Sequence, residues 1–289
     1  MTSRLRRITS YAWVTQSSLY DTNSGIFLFG DAAFLVDPGV RPAELEGIAA
    51  FLAERRASVR AIVLTHAHWD HLLGPERFPQ ATVVAHDRYP DVIEEHRGDL
   101  RRQVMSWASG TRDAPFEPPL PDVTFADRLS LHLGSFELRV LFAPGHAPDH
   151  CVLYEPEAGL LWAGDMLSDR EVPMPMDSFA SYLHALDVLS AKQVDVLVPG
   201  HGSPTADPRE IHRRFEQDRA YLQALQACVS STVSDGADLD ATLAACRDVP
   251  FAQPDTYPHA HRWNIEQAYL ELGGEHVPDR PVGWAQDWL

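Results

Sequence analysis

Four side chains of the kinds that bind metal ions lie within six consecutive residues, in the run His66-Ala-His68-Trp-Asp70-His71. The apolar residues 61–64 precede the run and predict a strand that ends where the run begins. Imidazole and carboxylate groups bind zinc and related divalent ions at about 2.0–2.2 Å. Side chains two residues apart in an extended turn can point the same way, while the next pair points to a neighbouring position. The H-x-H-x-D-H spacing therefore predicts a two-metal centre.

The competing interpretation is a chance cluster, because the chain has 14 histidines and histidines also lie satisfied inside protein cores. The context of the run favours the metal site. A predicted strand precedes it, Gly74 follows it, and further candidate ligands stand at the ends of later predicted strands.

Three later segments each place a polar side chain at the end of a predicted strand. They are residues 141–150 (LFAPGHAPDH) with His146, residues 160–165 (LLWAGD) with Asp165, and residues 194–202 (VDVLVPGHG) with His201. Each motif is weak alone, since similar turns are common at strand ends. Their order after the first run is what indicates one shared site.

Together these motifs resemble the metallo-β-lactamase fold superfamily of metallohydrolases, over roughly residues 10–204. The resemblance implies this ligand set: His66, His68 and His146 for the first metal, Asp70, His71 and His201 for the second, and Asp165 as the bridge. Asp37, in the segment Val36-Asp37-Pro38-Gly39, resembles a turn that family members carry beside the metals, usually without ligating. Leu73 and Asp149 depart from residues common in the family, but neither change removes a ligand. His150 is expected to support the site rather than bind metal.

Such a centre predicts a metal-dependent hydrolase. A divalent ion lowers the pKa of bound water from 15.7 to about 7, and it also stabilises the oxyanion that forms when hydroxide attacks a carbonyl. The expected reaction is cleavage of an acyl bond (ester, thioester or lactone) in a small molecule. The resemblance also gives Asp70 a catalytic role, as carrier of a proton to the leaving group. The expected cofactors are two divalent ions, preferably Zn²⁺, with iron or manganese as alternatives.

Some branches of the family lose favour on sequence. Glyoxalase II and persulfide dioxygenase relatives carry a G-C-G-R-like element after the bridging aspartate, whereas residues 166–176 read MLSDREVPMPM, which makes glutathione thioesters a less favoured substrate. Diiron flavoproteins replace the second histidine by glutamate, and His68 is intact. A mononuclear iron oxidoreductase of the sulfur-dioxygenase kind remains the alternative, because it can share these ligands.

Five residues are candidates for the substrate pocket, with core packing as the other interpretation for most of them: Trp69, Met174, Met176, Phe179 and Tyr182. Methionine adapts to irregular ligands, and Trp69 is expected to face the cavity because it lies inside the ligand run. His259 and His261 do not indicate a further metal site, since two histidines cannot complete a tetrahedral shell. The alternative for that stretch is that it folds back to shape the pocket.

Composition and hydropathy argue against nucleic acid and membranes as partners. The 289 residues carry a formal net charge of −17 and a single lysine, Lys192, which argues against nucleic acid. No apolar stretch approaches the roughly 18 residues needed to cross a membrane, and the N-terminus lacks a secretory pattern, so a cytoplasmic location is expected.

Cys151, Cys228 and Cys246 are too few and too scattered to predict a disulfide framework. Nothing in the sequence indicates an oligomeric state.

Strand and helix patterns alternate in two rounds, which is typical of a sheet covered by helices. The expected fold is α/β, a four-layer αβ/βα sandwich with the metals where strand-end loops meet. We expect residues 1–204 to form this catalytic domain and residues 205–289 to form a helical C-terminal extension packed on it. The strands expected are residues 26–28, 33–36, 61–64, 82–85, 129–133, 137–142, 151–154, 160–163 and 194–198. The helices expected are residues 42–56, 91–109, 179–190, 207–230, 239–246 and 263–272.

Overall fold

A computed structural model describes residues 5–107, 115–252 and 259–274. The strands in these residues are β1 (Arg6–Arg7), β2 (Ala12–Gln16), β3 (Asn23–Phe29), β4 (Ala32–Val36), β5 (Ser58–Val63), β6 (Thr82–His86), β7 (Val123–Phe125), β8 (Arg128–Leu133), β9 (Phe136–Phe142), β10 (Cys151–Glu155), β11 (Leu160–Trp162) and β12 (Val196–Val198). The α-helices are α1 (Pro42–Glu54), α2 (Tyr89–Trp107), α3 (Phe179–Ser190), α4 (Pro208–Ser234), α5 (Leu239–Cys246) and α6 (Ala260–Glu271).

The strands form two sheets. The first has seven strands in chain order, β1 to β7, antiparallel from β1 to β4 and parallel from β4 to β7. The second has five strands in the order β12-β11-β10-β9-β8, antiparallel except for the parallel pair β11 and β12. Because β10 runs antiparallel to β11, the turn that enters β10 lies at the edge where β11 ends.

Three hydrophobic layers hold the elements together. Phe27 and Phe34 of the first sheet pack with Leu153 and Trp162 of the second in the central layer. A second layer joins the outer face of the first sheet to α1 and α2, and a third joins the outer face of the second sheet to α3 and the C-terminal helices. The four-layer αβ/βα sandwich predicted from the sequence is confirmed.

Helix ends follow the expected capping chemistry. Pro42 occupies the first turn of α1, where its missing N–H costs no hydrogen bond. The carboxylate of Glu44 accepts hydrogen bonds from the backbone N–H groups of Val40 and Arg41, at 3.0 and 2.9 Å. Asp207 caps α4 by accepting from Arg209 N–H at 2.9 Å. These caps fix where α1 and α4 begin.

Three short strands escaped the sequence prediction: β1, β2 and β7. In β2, Ala12 and Val14 face the central layer, while Trp13 packs on the other face against the ring of Phe51 in α1. Both faces of β2 thus meet apolar surface, so the strand shows no alternation of apolar and polar residues. Helix bounds also differ: α2 begins at Tyr89, α4 runs on to Ser234 and α6 begins at Ala260.

The expectation for the cysteines was wrong for two of the three. Cys228 in α4 and Cys246 at the end of α5 form a disulfide, with Cα atoms 5.9 Å apart. The pair is separated by 18 residues in sequence, and it meets because α5 packs back against α4, which sequence spacing does not reveal. Cys151 is free and buried in the core.

The C-terminal helices share one hydrophobic layer with the second sheet. Tyr221 and Leu225 of α4 and Ile265 of α6 pack in the same cluster as Phe179 and Leu186 of α3. The division at residue 204 stays a prediction, since this continuous packing shows no boundary there. Among the described residues, none of the helices has an apolar stretch long enough to span a bilayer.

Candidate metal centre

Seven side chains from four distant segments converge at one edge of the sandwich. The loop after β5 supplies His66, His68, Asp70 and His71, and the other three come from the turn before β10, the end of β11 and the end of β12. They form two adjacent clusters: His66, His68, His146 and Asp165, and Asp70, His71 and His201. The sequence-predicted residues therefore come together in the two groups that were expected, although metal binding by each of them stays a proposal.

The first cluster is built from three imidazoles around one carboxylate. Nε2 of His146 lies 3.2 Å from Nδ1 of His68. Oδ2 of Asp165 lies 3.4 Å from Nε2 of His66 and 3.4 Å from Nε2 of His146. The side chains of His66, His146 and Asp165 are at most 5% exposed, so the ring nitrogens meet in a pocket from which bulk water is largely excluded.

The second cluster shares Asp165 with the first. Nε2 of His201 lies 3.3 Å from Oδ2 of Asp70 and 3.4 Å from Nε2 of His71. Asp165 faces both rings, with Oδ2 3.3 Å from His201 Nε2 and Oδ1 3.3 Å from His71 Nε2. The carboxylate of Asp165 thus lies between the two groups, which is the place that a bridging ligand must occupy.

The unsatisfied polar atoms of the site fit a metal. Nε2 of His66 and Oδ1 of Asp165 are buried and make no hydrogen bond within the described part of the chain. Buried polar atoms normally have a partner, because desolvating them without one costs about 1–3 kcal/mol. Imidazole nitrogens and carboxylate oxygens at this spacing suit zinc, iron or similar ions. The residues present therefore fit two divalent cations.

Burial keeps the imidazoles of the first cluster neutral. Desolvation lowers the pKa of His146 to about 3, and the nearby Asp165 carboxylate only partly opposes it. Desolvation likewise lowers the pKa of His66 and of His68 well below the usual value. A metal-binding histidine must offer an unprotonated nitrogen. The first cluster is therefore ready to accept a cation at neutral pH.

Carboxylates dominate the second cluster. Burial alone would lower the pKa of His71, but Asp165, Asp70 and Asp37 raise it well above the usual value. Burial is likewise outweighed at His201, where Glu171 and Asp165 raise the pKa to about 10. Conversely, although burial opposes it, the histidines around Asp165 hold the pKa of that carboxyl well below its usual range. This excess of negative charge attracts cations, and a divalent metal ion balances it more effectively than protons do.

Asp37 fixes one histidine in each cluster. Its Oδ2 accepts from Nδ1–H of His71 at 2.9 Å and from the hydroxyl of Thr65 at 2.6 Å, while Thr65 N–H donates to Oδ1 at 2.9 Å. Because the Thr65 hydroxyl donates to Asp37, its oxygen accepts from Nδ1–H of His66 at 3.0 Å. Both rings must then present Nε2 to the site. Asp37 has a φ of 42°, a left-handed conformation that Asp tolerates better than most residues.

We expect Asp37→Asn to weaken zinc binding at both clusters by about 10- to 100-fold, because the amide cannot accept all three of these hydrogen bonds. Competition with a chelator of known zinc affinity measures the change. Asp31→Asn is the matched control, since Asp31 is exposed in the β3–β4 turn and should leave zinc affinity as it is. Native zinc affinity in Asp37→Asn would contradict this role.

Backbone carbonyls orient two more histidines. The Met174 carbonyl accepts from Nδ1–H of His146 at 2.9 Å, and the Tyr20 carbonyl accepts from Nδ1–H of His201 at 2.9 Å. Each ring therefore turns Nε2 toward its cluster. Tyr20 and the following Asp21 have φ values of 55° and 52°, so the turn that presents the Tyr20 carbonyl is held in a costly conformation beside the site.

Supporting residues near the clusters were mostly absent from the sequence prediction. Glu171 is buried with Oε1 3.7 Å from Nδ1 of His201, and Thr22 donates its hydroxyl to Oδ2 of Asp70 at 3.3 Å. No local pattern marks either residue, because Thr22 meets His201 through an isolated β-bridge and Glu171 lies in an irregular segment. His150 lies outside both clusters, as expected: its Nδ1–H donates to the Ala143 carbonyl at 2.8 Å, and its Nε2 accepts from Asp165 N–H at 3.1 Å.

The candidate pocket residues divide by burial. Met174, Phe179 and Tyr182 are buried and pack in the layer between α3 and the second sheet. Met176 is half-buried, and half-buried Trp69 lies edge-on to the ring of Tyr20 with centroids 6.2 Å apart. The pocket role of all five stays a prediction, and Trp69 and Met176 are the two whose exposure suits it best.

The family model of the metallo-beta-lactamase superfamily matches residues 18–201 of this chain. A hydroxyacylglutathione hydrolase from Thermosynechococcus vestitus is 33% identical over 150 residues, which are 50% of this chain and 50% of that protein. The same name is carried by a protein from Nostoc punctiforme, 29% identical over 71% of this chain and 79% of its own length. An atrochrysone carboxyl ACP thioesterase from Aspergillus fumigatus is 24% identical over 73% of this chain and 62% of its own length. The chain spans about half the length of the first curated relatives that it matches.

Solved structures show the same fold at low identity. The sec-alkylsulfatase Pisa1 from Pseudomonas superposes with a TM-score of 0.75 at 15% identity, over 96% of this chain and 51% of that chain. A metallo-beta-lactamase family protein from Thermus thermophilus superposes with a TM-score of 0.65 at 23% identity, over 92% of this chain and 93% of that one. Both likenesses extend beyond the residues matched by the family model, and they concern the fold alone.

Proposed function

The chain belongs to the metallo-beta-lactamase superfamily, and from that premise we propose that it is a dinuclear metal-dependent hydrolase of an acyl bond. The single observation that carries the proposal is the convergence of two clusters of His and Asp side chains on the shared carboxylate of Asp165. The proposed ligands are His66, His68 and His146 for one ion and Asp70, His71 and His201 for the other. We propose Zn²⁺ for both ions, because imidazole and carboxylate donors suit it.

Bound divalent ions would supply an acidic water as nucleophile and a Lewis acid for the substrate carbonyl. The protein's own groups prepare the rest. Asp37, Met174 and Tyr20 hold the ring nitrogens in place, and the low exposure of the clusters strengthens every electrostatic interaction within them. Asp70 Oδ2 accepts from the Thr22 hydroxyl at 3.3 Å, and we assign this carboxylate the transfer of a proton to the leaving group.

We propose a thioester as the acyl substrate. The support comes from the curated relatives, among which are hydroxyacylglutathione hydrolases and an acyl-carrier-protein thioesterase. Glutathione itself carries two carboxylates, whereas residues 166–176 read MLSDREVPMPM and lack the G-C-G-R-like element of the glutathione-thioester branch. The formal net charge of −17 also disfavours an anionic carrier group. We therefore propose thioesters of an uncharged carrier arm over those of glutathione.

A substrate panel on the zinc-loaded chain tests this proposal. We expect the uncharged N-acetylcysteamine thioester of an acyl group to give a kcat/KM at least about tenfold above that of the glutathione thioester, which corresponds to about 1.4 kcal/mol. A lactone, a β-lactam, an alkyl sulfate and a phosphodiester complete the panel. Exclusive cleavage of the sulfate or the phosphodiester would contradict acyl hydrolysis, and preference for the glutathione thioester would contradict the carrier assignment.

The cytoplasmic location predicted from the sequence stays a prediction. The disulfide between Cys228 and Cys246 weighs against it, because such bonds are rare in proteins kept in a reducing cytosol.

A further inference from the structure

The loop of residues 172–178, here called the Met loop, is bonded to both the side chain and the backbone of the His146 turn. The Met174 carbonyl accepts from Nδ1–H of His146 at 2.9 Å. In return, Met176 N–H donates to the His146 carbonyl at 3.1 Å, and Asp177 N–H donates to the Gly145 carbonyl at 3.0 Å. The position of the Met loop therefore sets the direction in which His146 Nε2 points.

Helix α6 holds the opposite side of the Met loop. Asn264 donates from Nδ2 to the Pro173 carbonyl at 2.7 Å, and Gln267 donates from Nε2 to the Met176 carbonyl at 3.3 Å. The Glu271 carboxylate accepts from the Ser178 hydroxyl at 3.0 Å and from Phe179 N–H at 2.8 Å, where the Met loop enters α3. Spacings of three and four residues place these three side chains on one face of α6. All three side chains on that face form hydrogen bonds to the Met loop or to the first turn of α3.

A chain of buried hydrogen bonds through His261 and Tyr221 fixes the orientation of the Asn264 amide. Nε2 of His261 lies 3.2 and 3.1 Å from the carbonyls of Cys246 and Arg247, so it carries the hydrogen. Nδ1 is then the acceptor for the Tyr221 hydroxyl at 2.9 Å. The Tyr221 oxygen in turn accepts from Asn264 Nδ2 at 2.9 Å. Both hydrogens of the Asn264 amide are thus used, one on Tyr221 and one on Pro173, and Asn264 is 1% exposed.

We propose that Asn264 is a positioning residue of the metal centre, acting through Pro173 and the Met174 carbonyl on His146; this inference rests on the proposed metal binding by His146. Asn264 lies outside residues 18–201, which the family model matches. The C-terminal helices thereby take part in tuning the first cluster, although they contribute none of the proposed ligands. The rings of the second cluster are oriented from elsewhere, His201 by the Tyr20 carbonyl and His71 by Asp37.

The test is Asn264→Leu, which keeps a similar volume and removes both donors. We expect zinc affinity at the first cluster to fall about tenfold, the lower end of the range for losing a partner of a metal-bound histidine, while affinity at the second cluster stays unchanged. Calorimetric titration of the metal-free chain with Zn²⁺, in competition with a chelator, resolves the two binding events. The visible spectrum of the Co²⁺-loaded chain reports the altered ligand geometry independently of turnover.

Tyr269→Phe is the matched control, since the Tyr269 hydroxyl bonds α6 to the Ala237 carbonyl at 3.5 Å and not to the Met loop. An equal loss of zinc affinity in this control would overturn the proposal, and so would unchanged affinity and an unchanged Co²⁺ spectrum in Asn264→Leu. If Asn264→Leu fails to fold, Gln267→Leu takes its place, because Gln267 is only half-buried. Loss of its hydrogen bond to the Met loop should lower zinc affinity at the first cluster alone.

The same titration, combined with the substrate panel, distinguishes failure of the role proposed for Asn264 from failure of the proposed reaction. Weakened first-cluster binding in a chain that cleaves none of the acyl substrates supports the role of Asn264 and overturns the proposed reaction. A native chain that binds no divalent metal overturns both.

Discussion

Removal of metal by a chelator is expected to reduce acyl hydrolysis by at least about a thousandfold, because the described site offers a neutral-pH nucleophile only through bound ions. The ring nitrogens of the first cluster are neutral and point inward, and the second cluster carries an excess of negative charge. Without bound cations, these groups do not lower the pKa of a water molecule enough for it to be deprotonated at pH 7. Re-addition of Zn²⁺ is expected to restore the rate.

The measurement is the initial rate on the best thioester of the panel, before and after dialysis against the chelator, with metal content determined on the same samples. Chelation should also lower the unfolding temperature, since a ligand at 100 times its Kd stabilises the native state by about 2.7 kcal/mol. Full activity in protein shown to be free of metal would refute metal-dependent hydrolysis.

Asp165→Asn is expected to lower turnover by more than about 100-fold and to reduce zinc content below two ions per chain. The carboxylate lies within 3.3–3.4 Å of the Nε2 atoms of His66, His71, His146 and His201. An amide of the same size removes the negative charge shared by the two clusters and offers only one acceptor oxygen. The effect should exceed the 10- to 100-fold losses that follow from changing an outer partner of a ligand.

Asp187→Asn is the matched control. Asp187 lies on α3 with a side chain 68% exposed, paired with Arg219 at 3.0 Å, and an exposed pair of this kind contributes about 0–1 kcal/mol to stability. We expect native turnover and two zinc ions per chain in this variant. An Asp165→Asn enzyme that keeps both ions and native turnover would exclude a bridging role.

The candidate ligands were predictable because each lies in the loop that follows a strand, within eight residues of the strand's end. The H-x-H-x-D-H run comes after β5, and His201 comes after β12, so a local pattern and the geometry of sheet edges suffice to bring them together. The layered fold was predictable for the same reason, since buried strands and amphipathic helices alternate in clear runs. Short strands such as β1 and β7 carry too few residues to show a period.

Contacts between distant side chains could not be predicted. The bond from Asn264 to the Pro173 carbonyl and the disulfide between Cys228 and Cys246 depend on how α6 and α5 pack, which no local pattern specifies. The role of Asp37 was foreseen only as a neighbour of the metals. Its hydrogen bond to His71 and its connection to His66 through Thr65 emerge from the left-handed turn after β4.

The most direct test of the central claim is X-ray diffraction with anomalous scattering at the zinc and iron edges, on crystals of the chain purified without added metal. We expect two zinc peaks on either side of Asp165, one within bonding distance of His66, His68 and His146 and the other within bonding distance of Asp70, His71 and His201. A single iron peak in the first cluster would contradict the dinuclear hydrolase and favour the iron oxidoreductase.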